Sequence, residues 1–382
     1  MKLLHLADLH LGKSVLETSM LPVQREVLTQ AADYAVRERA GGILLAGDIY
    51  DRSVPPVEAV ELLDGFLERL EREGIPVLAI PGNHDSPERL HFGSRIFSRR
   101  GIHIAGGFSG VVETVSLSDR HGEVRVHLLP FLRPSMLRRA GLEAADTHQS
   151  VAAVLGSLPG GPAEAPELRH VLLAHQFVTA GGGMPEACDS ETPSVGGSDR
   201  VDTSVFDGFD YVALGHLHGP QKMGRDTIRY AGSPLKYSLS ETGHHKSFAV
   251  VTLEEKGTVG VELVPFRPSR DLRRIKGELP ELIAAGETDP RREDYVWAVL
   301  TGEPVLDPAA RLRRVYPNLL HVQAEGAPGT GEPLPGTGEA VPRATEEELF
   351  ASFFESVCGR GMDPGQEKAA ASVFARLREH PH

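Results

Sequence analysis

The sequence predicts a layered α/β protein with smaller parts beyond its main domain. Short aliphatic segments alternate with longer amphipathic stretches between residues 1 and 250, which is typical of buried strands joined by helices. Polar side chains that can bind metal ions come directly after several of these segments. The length of 382 residues exceeds that of a usual single domain, so one large domain with one or two additions is expected.

Six short apolar segments predict buried strands in the large domain. Each is shorter than a typical helix and is mostly aliphatic, which suits a strand covered on both faces. The predicted strands are Lys2 to Ala7, Gly42 to Ala46, Pro76 to Ile80, Val126 to Leu129, His170 to Ala174 and Tyr211 to Leu214.

Two amphipathic stretches between the first three strands predict helices. One begins near Pro22, a residue favoured in a first helical turn, and keeps apolar residues at helical spacing from Val27 to Ala35. The other covers Pro56 to Glu73. Residues 179–200 are instead rich in Gly, Ser, Pro and acidic residues. This composition predicts a surface loop, which we expect near the edge of the sheet where an active site would lie.

Composition divides the remainder of the chain. We predict that the large domain ends at residue 269 and that residues 270–324 form a small α+β module with strand-like segments at Tyr295 to Thr301 and Leu319 to Gln323. Residues 325–343 are nearly all Gly, Pro, Glu, Ala and Thr, which predicts a flexible linker.

The last segment, residues 344–382, predicts a pair of helices. Thr345 and Glu348 form a capping box at the start of the first helix. This helix is too short to be stable alone, so its apolar stripe is expected to pack on a partner. The stripe contains Leu349, Phe350, Phe353, Phe354 and Val357.

Charge and cysteine content restrict the possible partners and compartments. The chain has 40 Lys and Arg against 53 Asp and Glu, a formal net charge of −13, which argues against nucleic-acid binding through overall charge. Cys188 and Cys358 fit neither a metal site nor a disulfide framework. No signal peptide or membrane-length apolar segment is evident, so we expect a cytoplasmic protein.

Residues of the kinds that bind divalent metal ions follow the predicted strands. In chain order, the candidates are Asp8, His10, Asp48, Asn83, His84, Asp85, His175, His216 and His218. The loops that follow the carboxyl ends of strands converge at one edge of an open α/β sheet, so we expect these side chains to meet there.

Taken singly, these segments have ordinary structural explanations, because Asp8-x-His10 and Gly47-Asp48 are also typical of turns. In order, however, Asp-x-His, Gly-Asp, Gly-Asn-His-Asp, His and Gly-His-x-His resemble the five blocks of the calcineurin-like metallophosphoesterases. The resemblance extends from residue 1 to about 240. It implies a β-sandwich flanked by helices and the hydrolysis of phosphate esters.

The resemblance also implies two divalent ions about 3.5 Å apart that share one carboxylate, that of Asp48. The implied ligands are Asp8, His10, Asp48 and His218 for the first ion, and Asp48, Asn83, His175 and His216 for the second. Oxygen and nitrogen donors without thiolate suit Mn²⁺, Fe or Zn²⁺, and the family favours Mn²⁺. His84 would stabilise the transition state or protonate the leaving oxygen, with Asp85 fixing its tautomer.

Segments beyond the ligands resemble one branch of this family, the SbcD nuclease subunits of bacterial SbcC-SbcD complexes. These segments are His5 to Gly12, Ala46 to Asp51, Gly82 to Ser86, Leu129 to Pro134, Tyr211 to His218 and Tyr230 to Pro234. The resemblance implies exonuclease activity on double-stranded DNA ends and endonuclease activity on single-stranded or hairpin DNA, in repair, recombination and replication. Asp51 stands where some relatives carry histidine, so the balance between these activities stays open.

The same resemblance implies partners. Residues 270–324 would cap the DNA, and residues 344–382 would dock on the coiled-coil base of an SbcC-like ATPase. Pairing through helices beside the Gly-Asn-His-Asp segment implies a homodimer within a heterotetramer. Expected DNA contacts, independent of base sequence, include Arg89, Arg133, Arg273 and Arg274.

One segment favours a different substrate. Gly47-Asp48-Ile49-Tyr50-Asp51-Arg52 resembles the block of protein phosphatases in which an arginine grips phosphate. An enzyme acting on phosphoproteins or small phosphodiesters is therefore the alternative. A phosphatase would have no use for residues 270–382, which favours the nuclease.

Overall fold

The structure, a computed structural model, describes residues 1–139, 141, 144–191, 199–303 and 305–325, with the isolated positions 362, 365, 366 and 370. The strands are β1 (Lys2–Leu6), β2 (Ser14–Val15), β3 (Thr18–Ser19), β4 (Gly42–Ala46), β5 (Val77–Ile80), β6 (Ile102–Ile104), β7 (Glu113–Asp119), β8 (Gly122–Leu129), β9 (Arg169–His175), β10 (Phe177–Thr179), β11 (Arg200–Asp202), β12 (Tyr211–Gly215), β13 (Gln221–Met223), β14 (Arg225–Tyr230), β15 (Ser247–Leu253), β16 (Val259–Pro265), β17 (Leu272–Gly277), β18 (Tyr295–Leu300) and β19 (Leu319–Ala324). The α-helices are α1 (Leu21–Arg37), α2 (Val57–Arg72), α3 (Pro87–Leu90), α4 (Ser94–Phe97), α5 (Pro134–Arg139), α6 (Thr147–Gly156), α7 (Leu279–Thr288) and α8 (Pro308–Leu312).

Two six-stranded sheets form the framework of the large domain. The first sheet has the order β16-β15-β1-β4-β5-β6, in which β1, β4, β5 and β6 are parallel and β15 and β16 are antiparallel to their neighbours. The second sheet has the order β13-β14-β12-β9-β8-β7, with β8, β9, β12 and β14 parallel. The parallel strands are therefore central in the second sheet, whereas in the first they extend to the edge strand β6.

The inner faces of the two sheets pack against each other. Alternation along β1 divides its side chains between two cores, because successive residues of a strand point to opposite faces. Leu3 packs with Leu44 and Leu173 between the sheets, whereas Leu4 and Leu6 pack toward the helices. His5 also lies between the sheets, with its Nδ1 2.9 Å from the hydroxyl oxygen of Tyr211.

Helices cover the outer faces of both sheets. In α1, Pro22 lies in the first turn, and Val23, Val27 and Ala31 are buried at helical spacing against the first sheet, beside Phe66 of α2. Helix α6 packs similarly on the second sheet. Truncating a buried aromatic such as Phe66 to alanine would cost about 3–5 kcal/mol. The predicted β-sandwich flanked by helices is therefore confirmed.

A third sheet follows the large domain. Strands β17, β18 and β19 are parallel, with α7 and α8 as their connections. Their own apolar core includes Leu279, Val296 and Leu312. This sheet belongs to the compact unit Met1–Gly326, and Ala327–His382 form a second unit.

Most of the second unit lies outside the described residues. The predicted linker, residues 325–343, has only residue 325 within the described part of the chain. The predicted docking residues, which all lie outside it, are Leu349, Phe350, Phe353, Phe354 and Val357. Among the described residues, no helix has the length and apolar character needed to cross a membrane.

Candidate metal centre

The structure brings the predicted metal ligands together where the two sheets meet. Loops after β1, β4 and β5 carry the ligands of the first sheet, and β9 and the loop after β12 carry those of the second. These strands are parallel within each sheet, so their carboxyl ends lie at one edge. The residues that meet are Asp8, His10, Asp48, Asn83, His84, His175, His216 and His218.

Several candidate ligands have left-handed backbone conformations. The φ angles are 52° at Asp8, 44° at His10, 47° at Asp48 and 113° at His216. Each such conformation costs a non-glycine residue about 1–3 kcal/mol, so the surrounding contacts must impose it. The amide of Asp8 donates to the Gly47 carbonyl at 3.0 Å, and that of His10 donates to the Asp48 carbonyl at 2.9 Å. These two hydrogen bonds join the loop after β1 to the loop after β4.

Glycines allow these loops to approach closely. A Cβ atom on Gly82 would lie 2.1 Å from Oδ1 of Asp48, and one on Gly215 would lie 1.8 Å from the Ala46 carbonyl oxygen. Both distances are far below van der Waals contact. Any larger side chain at Gly215 would push the second sheet away from the first.

One group of ligand atoms surrounds His10. Its Nε2 lies 3.1 Å from Nε2 of His218 and 3.7 Å from Oδ2 of Asp48. Asp8 joins His10 and His218, with one ligand atom from each within 4.8 Å of the others. Asp8 Oδ2 is buried and has no hydrogen-bond partner, which is costly unless a cation binds there. These residues are the set predicted for the first ion.

A second group surrounds Asn83. Its Oδ1 lies 3.0 Å from Nε2 of His175 and 3.0 Å from Nδ1 of His216. His175 Nε2 is also 3.3 Å from Oδ2 of Asp48. The same Asp48 oxygen therefore approaches both groups, as a carboxylate shared by two ions must.

Electrostatics favour positive charge in this centre. Burial opposes ionisation of Asp48 and His175, but their close ion pair lowers the pKa of Asp48 and raises that of His175 to about 9. Burial raises the pKa of Asp8 well above its ordinary value, and repulsion from Asp48 adds to that. Without a cation, protons on Asp8 and His175 therefore offset the negative charge of the carboxylates.

The remaining imidazoles are in the form that metal ions bind. Burial lowers the pKa of His10 to about 4 and that of His216 to about 3, so both are neutral at neutral pH. Carboxylate, amide and imidazole donors meet here without a thiolate, and Asp8 leaves an oxygen unpaired. The donor set fits a pair of divalent cations.

His84 lies beside the ligands and is less buried, with a side chain that is 29% exposed. Its Nε2 lies 4.0 Å from Oδ2 of Asp48, and its Nδ1 lies 3.2 Å from the Asp51 carbonyl oxygen. A carbonyl only accepts hydrogen bonds, so Nδ1 carries the proton and Nε2 faces the centre. The backbone amide of His84 donates to Asp48 Oδ1 at 2.9 Å.

The predicted interaction between Asp85 and His84 is wrong. The carboxylate of Asp85 instead accepts backbone N–H groups from Ile49 at 3.0 Å, Tyr50 at 2.8 Å and Gly82 at 2.9 Å. Three well-aligned backbone donors outcompete a neighbouring imidazole. Burial raises the pKa of Asp85 to about 6. Asp85 therefore ties the β4 and β5 loops together, and the Asp51 carbonyl orients His84.

The predicted DNA contacts differ in how available their charges are. Arg89 and Arg133 are exposed, and the Arg133 guanidinium lies 5.0 Å from the Phe131 ring centroid. Arg273 forms ion pairs with Asp289 and, at 3.0 Å, with Asp294, which neutralise it within the third sheet. This pairing leaves less of the Arg273 charge available to DNA than at the exposed Arg89 and Arg133. Arg274 is half-buried on the same strand.

Sequence reasoning missed the residues behind His218. Ser190 Oγ lies 2.8 Å from His218 Nδ1, and the His218 amide donates to Glu191 Oε1 at 2.6 Å. Glu241 and Lys246 lie behind Ser190 and form a buried ion pair. Ser190 and Glu191 belong to the predicted surface loop at residues 179–200. Two isolated polar residues carry no local signal of such a contact.

Asp51 was identified only as a departure from some relatives. In the structure it forms a third group with His10 and His84, and its Oδ1 accepts from Lys13 Nζ at 2.7 Å. Burial opposes ionisation, but hydrogen bonds from His10 and then Lys13 lower the pKa of Asp51. It is an anionic neighbour of the predicted first ion.

Comparisons with known proteins agree with this centre. The family described as Calcineurin-like phosphoesterase matches residues 1–220, and the Type 5 capsule protein repressor C-terminal domain matches residues 268–357. The SbcD subunit of the nuclease SbcCD from Staphylococcus epidermidis is 33% identical over 324 residues, which cover 84% of each chain.

Two solved structures also align with the chain. A dimetal phosphatase from Danio rerio is 15% identical with a TM-score of 0.41, covering 70% of this chain and 99% of its own. The protein TT1561 of Thermus thermophilus is 12% identical with a TM-score of 0.39, covering 69% of this chain and 98% of its own. The family assignment rests on the sequence matches. The chain belongs to the SbcD nuclease-subunit family of calcineurin-like phosphoesterases, a family of metal-dependent phosphodiester hydrolases.

Proposed function

We propose that this protein is the nuclease subunit of a DNA end-processing complex and that it cleaves DNA with two divalent ions, Mn²⁺ by preference. The observation that carries the proposal is the position of Asp48 Oδ2, 3.7 Å from His10 Nε2 and 3.3 Å from His175 Nε2. This single oxygen approaches ligand atoms of both groups. A dinuclear phosphoesterase needs such a shared carboxylate.

The proposed ligands divide between the two ions as the family resemblance implies. Asp8, His10, Asp48 and His218 would hold the first ion, and Asp48, Asn83, His175 and His216 would hold the second. When bound, two such ions acidify a water molecule and neutralise the charge of the phosphate. The chain supplies the fixed donors, and their rigid loops maintain the geometry that in-line attack requires.

His84 is the proposed catalytic residue outside the ligand set. Its Nδ1 is held by the Asp51 carbonyl, so Nε2 faces Asp48 at 4.0 Å, on the side where the scissile phosphate would bind. As an imidazolium, in which Nδ1 still donates to the Asp51 carbonyl and Nε2 carries a second proton, it would stabilise the transition state and deliver the Nε2 proton to the leaving oxygen. Asp85 acts indirectly, because it fixes the loop that carries Asn83 and His84.

The phosphatase alternative has less support. Arg52, which would have to grip phosphate, has a side chain that is 78% exposed, and its Nε lies 3.6 Å from Asp51 Oδ2. The C-terminal match over residues 268–357 and the SbcD relative favour a nuclease. Residues 1–269 then form the catalytic domain and residues 270–324 cap the DNA, which Arg89, Arg133 and Arg274 contact.

Initial rates on linear duplex DNA and on a phosphopeptide, both in Mn²⁺, test this proposal. We expect cleavage of DNA and little release of phosphate from the peptide. Asp48→Asn is the matched control, since it preserves the size of the side chain and removes the bridging charge. Faster hydrolysis of the peptide would reject the nuclease in favour of the phosphatase.

The relative belongs to a complex named SbcCD, so we propose an SbcC-like ATPase as partner. The proposed docking element is residues 344–382, for which the sequence predicts a pair of helices beyond the predicted linker at residues 325–343. Removing residues 344–382 is expected to preserve metal-dependent cleavage of short single-stranded DNA and to abolish association with the ATPase. Continued co-purification of the truncated chain with the ATPase would contradict this role.

The proposed homodimer, which forms the heterotetramer with two ATPase subunits, pairs through the region of α3 and α4. Phe92 is 83% exposed and Ile96 is 70% exposed, and both follow the Gly-Asn-His-Asp loop. Such adjacent apolar side chains favour an interface. We expect Ile96→Glu to produce a monomer in sedimentation experiments, whereas Val111→Glu, at another exposed apolar position, should not.

A further inference from the structure

We propose that Ser190, supported by Glu241, is a positioning residue for the metal ligand His218. It accepts the Nδ1 proton of the imidazole, so that Nε2 presents its lone pair to the first ion. The inference rests on the proposed role of His218 as a ligand. It assigns a purpose to the loop at residues 179–200.

The hydrogen-bond chain has a defined direction. Ser190 Oγ donates to Glu241 Oε1 at 2.6 Å, because a carboxylate only accepts. The same Oγ, 2.8 Å from His218 Nδ1, must therefore accept the imidazole proton. Nε2 of His218 is then unprotonated and lies 3.1 Å from His10 Nε2, within the first ligand group.

Glu241 cannot turn away from Ser190. It is fully buried, and its Oε2 accepts from Lys246 Nζ at 2.5 Å. Its Oε1 also accepts from the Tyr237 amide at 3.1 Å and from Ser238 Oγ at 3.0 Å. A carboxylate held by these donors fixes the direction of the Ser190 hydroxyl.

The segment that carries Ser190 is itself held in place. Glu191 Oε1 accepts from the His218 amide at 2.6 Å, and the Asp189 amide donates to Ser240 Oγ at 3.0 Å. The loop thus contacts both the backbone and the side chain of His218. A loop with these two contacts can position the imidazole as well as cover it.

Removing the hydroxyl should weaken one ion only. Ser190→Ala removes the hydroxyl that accepts the His218 Nδ1 proton at 2.8 Å, and the remaining acceptor, Glu241 Oε1, lies 3.6 Å away, so the imidazole is held less firmly in this tautomer. Loss of such an outer partner typically reduces metal affinity by about 10–100-fold. The second ion, held by Asn83, His175 and His216, should bind as in the unmodified protein.

The test is a calorimetric titration of the full-length chain with Mn²⁺ alone. The unmodified protein is expected to bind two ions, and its failure to do so would reject the proposed function rather than this inference. Given two ions, Ser190→Ala should weaken one binding step about 10–100-fold. Ser190→Thr, which keeps a hydroxyl, should restore it. Unchanged binding of both ions by Ser190→Ala overturns the inference.

Ser240→Ala separates positioning from anchoring of the loop. Ser240 holds the Asp189 amide but makes no contact with His218, so affinity should stay within about 3-fold of the unmodified protein. An equal loss in Ser240→Ala and Ser190→Ala would overturn the inference. If Ser190→Ala does not fold, the isosteric pair Ser190→Thr and Ser190→Val decides instead, and equal affinities in that pair overturn the inference.

Discussion

The two sheets contribute different chemistry to the metal centre. The edge of the first sheet supplies all the carboxylate and amide donors, from Asp8, Asp48 and Asn83, together with His10. The edge of the second supplies imidazoles only, from His175, His216 and His218. The carboxylates among the proposed ligands therefore all belong to the first sheet, and the second contributes imidazoles alone.

This division links metal binding to the packing of the sheets. His175 Nδ1 donates to the Ala46 carbonyl of β4 at 2.9 Å, so a ligand of the second sheet is oriented by the backbone of the first. Neither edge alone supplies all four ligands of either proposed ion. A cation at the junction therefore stabilises the contact between the sheets as well as supporting catalysis.

The largest expected effect comes from the bridging carboxylate of the first sheet. Asp48→Ala should lose both ions and reduce cleavage more than about 10⁴-fold, because both shells and the charge neutralisation of the phosphate depend on it. His216→Ala, on the second sheet, should weaken only one ion. Metal content after Mn²⁺ loading, measured with initial cleavage rates, compares them. Equal metal loss in both variants would contradict the shared role of Asp48.

A smaller effect is expected at the imidazole of the first sheet that is not a ligand. His84→Ala should retain two ions and lose cleavage by roughly 10²–10⁴-fold, as expected of a general acid. His91→Ala is a suitable control, since this histidine hydrogen-bonds the Ile104 carbonyl and lies outside the ligand set. Depleted metal or normal cleavage in His84→Ala would show that its assigned role is wrong.

The smallest effect concerns a histidine of the second sheet that lies away from the edge. Burial lowers the pKa of His127 to about 3, and the neighbouring His170 lowers it further. Unfolded histidine titrates near about 6.5, so the unfolded state binds more protons between these values. Stability should then be complete above pH 6.5 and fall as the pH decreases, by up to about 1.4 kcal/mol per unit for this residue.

Denaturant unfolding at pH 7 and pH 5 in a chelating buffer checks this expectation. The His127→Gln variant should lose less stability between the two pH values than the unmodified protein, although it is less stable at pH 7. Identical losses would mean that His127 is not the group that titrates on unfolding.

The sequence was sufficient to predict that the candidate ligand residues meet, because parallel strands bring consecutive loops to one edge. The predicted strand Gly42 to Ala46 coincides with β4, and Tyr211 to Leu214 differs from β12 by one residue. Local periodicity carries this information. Local periodicity does not show which strands pair in a sheet. The sequence near residues 247–253 gives no sign that β15 pairs with β1.

The orientation of polar side chains was also beyond sequence reasoning. Asp85 follows His84 directly, yet its carboxylate binds backbone amides from another loop. Glu241 lies in a polar segment that is typical of the surface, but it is fully buried beside Lys246 and Ser190. Such contacts depend on which distant loops meet, which is a property of the completed fold.

The pairing of β15 with β1 has a consequence during synthesis on the ribosome. Strand β1 emerges first, but one of its two neighbours, β15, ends at Leu253, and the edge strand β16 ends at Pro265. Asp8 and His10, the first two proposed ligands, follow β1. This strand gains its neighbour β15 only after most of the chain has been synthesised. We therefore expect a nascent chain to bind metal only after β15 has been translated. Nuclease activity should then begin only once the catalytic domain has folded.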